Sequence, residues 1–148
     1  MNILQEIQSE LKAPKNQKNN FGNYSYRSAE DILTAVKPLL QKHGASLVLS
    51  DALVALEGRI FVKSTATLHT TGSIPYTADG FAEHAETKKG MDQAQITGSA
   101  SSYSRKYAMN GLFAIDDTKD SDSTNTHGKD NTSKPQQNET VNALDGLI

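Results

Sequence analysis

The chain has 148 residues, enough for one domain with its own hydrophobic core, and no cysteine, which excludes disulfides and thiolate metal sites. No apolar run reaches the roughly 18 residues of a transmembrane helix, and the first residues do not resemble a signal peptide, so we expect a cytoplasmic protein without a membrane partner. Residues 1–115 carry 12 Lys and Arg against 10 Asp and Glu, whereas residues 116–148 carry 3 against 7. The resulting net charge of −2 excludes a histone-like polycation but is compatible with a local basic patch for nucleic acid.

Two amphipathic helices are predicted in the first part of the chain. Apolar residues recur at helical spacing between Ile3 and Leu11, which indicates a first helix. A polar loop, APKNQKNNFGN, and a short extended segment, YSYR, follow it. Ser28 lies three residues before Asp31 in the arrangement of a helix N-cap, so a second helix is expected from there to Gly44.

Three strands and a long helix are predicted next. The strands cover SLVLSDALVAL, IFVKSTATLHT and SIPYTADGFA, and the short turns EGR and TG join them. Residues of the middle strand alternate between a polar face that includes Lys63 and an apolar face that includes Val62. After a polar loop, the long helix begins at Asp92, runs through Asn110 and stops at Gly111. The fold class is therefore α+β, with an antiparallel meander packed against a long helix.

The last part of the chain has a different composition. From Thr118 the sequence is rich in Ser, Thr, Asn, Asp and Lys and has no large apolar residue before Val141, so it cannot bury enough surface to fold. We expect a core domain over residues 1–117 and a disordered acidic tail over residues 118–148. The closing VNALDGLI is apolar again, and it is either a short docking peptide or a frayed terminus.

The long helix contains an unusual run of small polar residues, GSASSYSRKY. On a helical wheel, one face is expected to pack on the sheet: Ile96, Ala100, Tyr103 and Tyr107. Other residues project from the opposite side or its flank: Gly98, Ser101, Ser102, Arg105, Ser99 and Lys106. Small side chains let another backbone approach, and the hydroxyls and cations can bind phosphate oxygens. The alternative is an ordinary solvated helix face.

Two further segments are weaker candidates for binding nucleic acid. Tyr24 and Tyr26 share one side of an extended segment beside Arg27, and aromatic rings next to a cation suit base stacking. They are equally compatible with two core tyrosines. Lys88 and Lys89 precede the long helix and could grip phosphate, although a solvated lysine pair is the commoner outcome.

Enzyme chemistry has little support in the sequence. The histidines lack metal-ligand spacing, and neither a phosphate-binding GxxxxGK[ST] loop nor a GxSxG nucleophile motif is present. Asp116 and Asp117 could hold Mg²⁺ with Asp79 or Glu83, as in a nuclease. Adjacent aspartates at the end of an element are more often a cap or the start of an acidic tail.

Two long segments resemble a known family. The stretches FGNYSYRSAEDILTAVKPLL and GMDQAQITGSASSYSRKYAMNGLFAIDDTKDSD closely resemble the ERF (essential recombination function) family of bacteriophage single-strand annealing proteins, from about Ile3 to Asp122. The resemblance implies ATP-independent binding of single-stranded DNA, annealing of complementary strands, assembly into a homo-oligomeric ring or filament, and a bacterial host cell. It also suggests kinship with the β-β-β-α annealing core of the eukaryotic repair ring.

The resemblance also changes the weight of the candidate residues. It makes Arg105 and Lys106 the leading phosphate ligands, Ser101 and Ser102 part of a surface that admits DNA backbone, and Tyr24, Tyr26 and Arg27 candidates for the same groove. Lys88 and Lys89 in the loop and Lys63 on the polar strand face complete the predicted DNA-binding residues. It implies no catalytic residue, metal or cofactor, and it suggests that the tail contacts a single-strand-binding protein. The alternatives are a single-strand-binding protein that does not anneal, and a Mg²⁺-dependent nuclease.

Overall fold

The computed structural model describes residues 2–116. The elements in chain order are α1 (Ile3–Glu10), β1 (Gln17–Asn19), β2 (Tyr24–Tyr26), α2 (Ala29–His43), β3 (Ser46–Leu56), β4 (Arg59–His69), β5 (Tyr76–Glu83) and α3 (Gln93–Phe113). Strands β3, β4 and β5 form an antiparallel sheet in that order, and β1 pairs with β2 in a separate hairpin. The predicted α+β meander with a long helix is confirmed. The predicted acidic tail and its apolar end lie outside the described residues.

Local sequence signals begin all three helices of residues 2–116. Each has a capping box, in which the cap side chain and the side chain three residues later bond each other's backbone amides. The predicted cap at Ser28 has this form: Ser28 Oγ accepts from the Asp31 amide at 3.1 Å, and an Asp31 carboxylate oxygen accepts from the Ser28 amide at 2.9 Å. These bonds, the backbone one foremost, hold the pKa of Asp31 below its usual value despite partial burial.

The end of α3 differs from the prediction. Gly111 was expected to stop the helix, but α3 continues to Phe113 and ends at Ala114, which has a left-handed φ of 56°. Leu112 and Phe113 are buried in the core, so packing carries the helix past the glycine. A Cβ at Gly111 would lie 3.6 Å from the Cβ of Ala78 on β5, an ordinary van der Waals contact.

The core lies between one face of the sheet and the helices. Inward residues of β4, including Ala66 and Leu68, meet Ala108, Met109, Leu112 and Phe113 of α3 and buried residues of α1 and α2. Each fully buried Leu, Ile, Met or Phe contributes roughly 1.5–3 kcal/mol. The opposite face of the sheet is uncovered in the described chain, and Val48, Leu56 and Phe81 are exposed there. Within residues 2–116 no helix is long and apolar enough to cross a membrane.

The face of α3 that meets the sheet is rotated from the predicted one. Ile96 and Ala100 are buried as expected, but Tyr103 and Tyr107 are 45% and 44% exposed, and Ser104 is fully buried in their place. The reason is Gly80 on β5. Its missing side chain lets the helix backbone lie directly on the strand, and small residues, Ser104 among them, fit that close approach where tyrosine does not.

We expect Gly80→Ala to destabilise the protein. A Cβ at this position would clash with the carbonyl oxygen of Ser104 and the amide nitrogen of Ala108, so α3 must move off the sheet. Overpacking of this kind costs roughly 1–3 kcal/mol of unfolding free energy, which urea titration followed by circular dichroism will measure.

The matched control is Gly98→Ala in the same helix. A Cβ there meets open space, so the helix propensity of alanine should raise stability by up to about 1 kcal/mol. Equal effects of the two substitutions would contradict the close approach at Gly80.

Candidate nucleic-acid interface

Two segments that are distant in the sequence meet around one lysine. The Lys106 ammonium nitrogen lies 5.9 Å from the ring centroid of Tyr26, 5.2 Å from that of Tyr103 and 5.7 Å from that of Tyr107. Tyr24 extends the group, with its ring centroid 6.0 Å from that of Tyr26. We call Tyr24, Tyr26, Tyr103, Lys106 and Tyr107 the tyrosine–lysine cluster.

The cluster offers the groups that single-stranded nucleic acid requires. Tyr103 and Tyr107 are nearly half exposed, so their rings can accept a base. Lys106 provides a point charge for a phosphate, and the rings around it stabilise that charge by roughly 0.5–1 kcal/mol each at such exposed sites. Ser102 is exposed one turn before Lys106, on the same side of the helix. Four of the predicted residues, Tyr24, Tyr26, Ser102 and Lys106, therefore come together.

A shallow pocket brings Lys88 to the edge of the cluster. The pocket has a volume of about 320 Å³, and Tyr103 and Tyr107 line it together with Lys88, Ser99 and residues at the end of β5. Lys89 is exposed in the adjoining turn. Lys88 thus lies beside the two tyrosines at the start of α3, and the Glu83 carboxylate lines the same pocket.

Arg105 lies on a different side of the helix from Lys106. Its Nε donates to Oδ1 of Asp51 on β3 at 3.1 Å, and Ser101 Oγ donates to Oδ2 of the same carboxylate at 2.5 Å. Ser64 Oγ of β4 donates to Asp51 Oδ1 at 2.7 Å. The prediction that Ser101 and Arg105 project away from the sheet is therefore wrong, because the rotation of α3 turns both toward β3.

Asp51 remains a carboxylate in this arrangement. Burial raises the pKa of Asp51, but hydrogen bonds from Ser101, Ser64 and Arg105 outweigh that effect and hold the pKa below its usual value. The charge of Arg105 is thus partly neutralised, while 38% of its side chain remains exposed. Lys106 has aromatic neighbours instead, so the two adjacent cations are not equivalent.

Two predicted residues lie away from the cluster. Arg27 is only 8% exposed, and its Nε donates to the carbonyl oxygen of Ala13 at 2.6 Å. Arg27 follows the last residue of β2, and its bond to Ala13 directs it to the interior, whereas Tyr26 reaches the cluster. Lys63 lies on the outer face of the sheet, 3.6 Å from the carboxylate of Asp79.

The carboxylates considered for a nuclease do not form one group. Asp79 accepts a bond from Thr65 on the outer face of the sheet, and Glu83 pairs with Arg59 on that face. Asp116 borders a separate cavity beside Arg27, and Asp117 lies outside the described residues. Within residues 2–116 no group of three or more His, Cys, Asp or Glu side chains could hold a metal ion.

Sequence reasoning missed two residues of interest. Asp51 interrupts an otherwise apolar face of β3, which is the sequence signal for a polar group at this position. In the sheet Asp51 lies opposite Ser64, so the two side chains form a polar cluster. Phe21 is fully exposed in the turn between β1 and β2, within a segment interpreted as a polar loop. Its signal was a large aromatic residue in a basic, asparagine-rich stretch.

We expect Asp51→Ala to lower the unfolding free energy by about 1–3 kcal/mol at pH 7, because three donors lose their acceptor next to a buried serine pair. Since the folded-state pKa of Asp51 is depressed, the ionised form contributes stability above the ordinary aspartate pKa of about 4. That contribution is lost as the pH falls through the lower folded-state value.

The measurement is urea unfolding of wild type, Asp51→Ala and the neutral isostere Asp51→Asn between pH 7 and pH 2, in which the gap is the difference in unfolding free energy between wild type and each variant. That gap should shrink only below about pH 4. Asp79→Asn is the control, since its exposed pair contributes at most about 1 kcal/mol. A gap at Asp51 that does not change with pH would contradict the assignment.

Comparison with known proteins supplies the family. The model of the ERF superfamily matches residues 2–144. The "Essential recombination function protein" of Salmonella phage P22 is 53% identical over 132 residues, which cover 89% of this chain and 62% of that protein. The chain thus spans less than two thirds of the length of this relative. No solved structure matches the chain. The chain belongs to the ERF superfamily.

Proposed function

We propose that this protein binds single-stranded DNA and anneals complementary strands, without ATP, in phage recombination. The observation that carries the proposal is the tyrosine–lysine cluster, in which an ammonium group lies among three tyrosine rings at the surface of α3. The name of the phage P22 relative supports a role in recombination. Annealing needs no catalytic residue, so we propose no enzyme activity and no cofactor.

The chemistry of the cluster favours binding without sequence preference. Lys106 holds a phosphate, and the exposed rings of Tyr103 and Tyr107 stack with bases, which all have a π-face. Lys88 and Lys89 extend the contact to neighbouring phosphates. Base edges that carry the pairing information stay outside, where a second strand can reach them. Pairing and stacking of the new duplex then drive the reaction.

Several copies of the chain are proposed to act together in a ring or filament. The sheet has two edge strands, β3 and β5, and no further strand within residues 2–116 pairs with either. The outer face of the sheet also exposes Val48, Leu56 and Phe81. Open edges and exposed apolar side chains both favour association between copies. The proposed contact of the acidic tail with a single-strand-binding protein stays a prediction.

We expect Lys106→Ala to weaken binding of labelled oligothymidine by about tenfold, because a charged phosphate contact is lost. The slope of log affinity against log salt should fall by about 0.7, the value for one phosphate contact on a single strand. Arg105→Ala should weaken binding less and destabilise the fold more, since Asp51 shares that charge.

Lys63→Ala is the control for net charge, because it removes the same charge from the outer face of the sheet. Fluorescence anisotropy at several salt concentrations measures all three variants, and circular dichroism verifies their folding. Equal losses for Lys106→Ala and Lys63→Ala would show that only total charge matters, which contradicts the assignment of the cluster.

An annealing assay separates the proposal from simple strand protection. Complementary labelled strands should form duplex faster with the protein than without it, in the absence of ATP, and Lys106→Ala should reduce the acceleration. Binding without acceleration would identify a single-strand-binding protein. Shortened strands after incubation with Mg²⁺ would instead reveal a nuclease.

A further inference from the structure

We propose that Phe21, at the tip of the β1–β2 hairpin, stacks on a base of the bound strand. The inference rests on the proposed function, since the ligand is single-stranded DNA. It adds a contact outside the tyrosine–lysine cluster and makes the hairpin a binding arm. The run of small polar residues and cations in α3, which predicted the leading DNA-binding residues, does not predict this contact.

The turn is built to hold the phenylalanine outward. Asn19 Oδ1 accepts from the amides of Phe21 at 2.9 Å and Gly22 at 3.2 Å, and its Nδ2 donates to the Tyr24 hydroxyl at 2.9 Å. The Tyr24 ring packs so tightly against Gly22 that any Cβ there would clash with it. The ring of Tyr24 therefore occupies the inside of the turn, and Phe21 is fully exposed.

The hairpin has a cation near its tip. Lys12 and Lys15 precede the hairpin and Lys18 lies within β1, whereas Arg27, just after β2, is buried and does not contribute to the surface charge. Lys18 is exposed on β1, next to the turn. The Asp31 carboxylate lies beside the start of β1, where it accepts from the Gln17 side chain, so Lys18 and the turn beyond it are the part of the hairpin that a phosphate chain can approach.

The hairpin leads directly to the cluster. β2 carries Tyr24 and Tyr26, and Tyr26 contacts Lys106 of α3. At about 3.3 Å per strand residue, the tip lies on the order of 15 Å from Tyr26, which is within the span of one bound strand. The three aromatic residues Phe21, Tyr24 and Tyr26 thus follow one another along the hairpin, and Tyr26 is the one that contacts Lys106.

A base explains the exposed ring better than a second copy of the chain does. A stable protein interface buries roughly 800 Å² on each partner around a contiguous apolar centre. The tip has one aromatic ring among polar neighbours, Asn20 and Asn23, with Lys18 at its base. The single ring of Phe21 can stack on one nucleobase, and Lys18 can contact the phosphate of the same strand.

The absence of tryptophan from the sequence allows a direct test. Phe21→Trp creates a single reporter at the tip of the hairpin, and oligothymidine should quench its emission at concentrations that saturate binding. Ile74→Trp, at an exposed turn between β4 and β5, is the matched reporter and should keep its emission. A duplex of the same length should not quench the reporter at Phe21, because its bases are already stacked.

Affinity measurements separate stacking from apolar contact. Phe21→Ala should weaken binding of labelled oligothymidine by about tenfold, within the range for loss of one base–aromatic stack. Phe21→Leu keeps apolar bulk but has no ring, so it should lose as much as Phe21→Ala, whereas Phe21→Tyr should bind like wild type. Unfolding free energy should be unchanged in every case, since the side chain contacts solvent.

Three other results would contradict the inference, and each has a different cause. If wild type binds oligothymidine but Phe21→Ala binds equally and the reporter at Phe21 does not respond, only this inference fails. If Phe21→Ala alters the sedimentation of the free protein while Phe21→Leu restores it, the ring contacts a second copy. If wild type does not bind oligothymidine at all, the proposed function itself fails.

Discussion

The direct contact between the backbone of α3 and Gly80 of β5 determines which side chains this protein presents. Because position 80 has no Cβ, small residues of the helix, Ser104 among them, lie on the strand and the wider tyrosines cannot. Tyr103 and Tyr107 are consequently turned outward on one side, and Arg105 is turned toward β3 on the other. A single small residue in the sheet thus sets the composition of the surface.

The same rotation separates two cations that are adjacent in the chain. Arg105 donates to the Asp51 carboxylate, which also accepts from two serines and links β3, β4 and α3. Lys106 lies among aromatic rings that cannot neutralise it. One cation therefore fixes the helix on the sheet, and the other keeps its charge available. Because Arg105 already links α3 to the sheet, Lys106 is not needed for that link, which is a reason to look for its partner outside the chain.

Local patterns predicted the elements, and tertiary contacts decided the surface. The cap at Ser28 and the alternation of β4 depend on neighbours in sequence, so both could be read directly. A helical wheel gives the angles between residues of α3 but not the side that meets the sheet, which depends on Gly80 in another element. The burial of Arg27 depends on its bond to the carbonyl oxygen of Ala13, which no local pattern indicates. The contact of Tyr26 with Lys106 likewise joins two elements that are distant in the sequence.

Weak, separate contacts suit the proposed annealing without ATP. A base stacked on one aromatic ring gains roughly 1–3 kcal/mol, and a step of DNA duplex gains about 1.4 kcal/mol on average. A protomer that stacks with only a few bases binds the remaining nucleotides through their phosphates. The free energy gained when those remaining bases pair and stack in a duplex then exceeds the free energy of the few base–aromatic stacks that the protein loses. In the proposed ring or filament, repetition over many protomers would keep the strand bound, because the contacts add, while each one could still break alone. A deep pocket for every base would hold the strand as firmly but would prevent it from pairing.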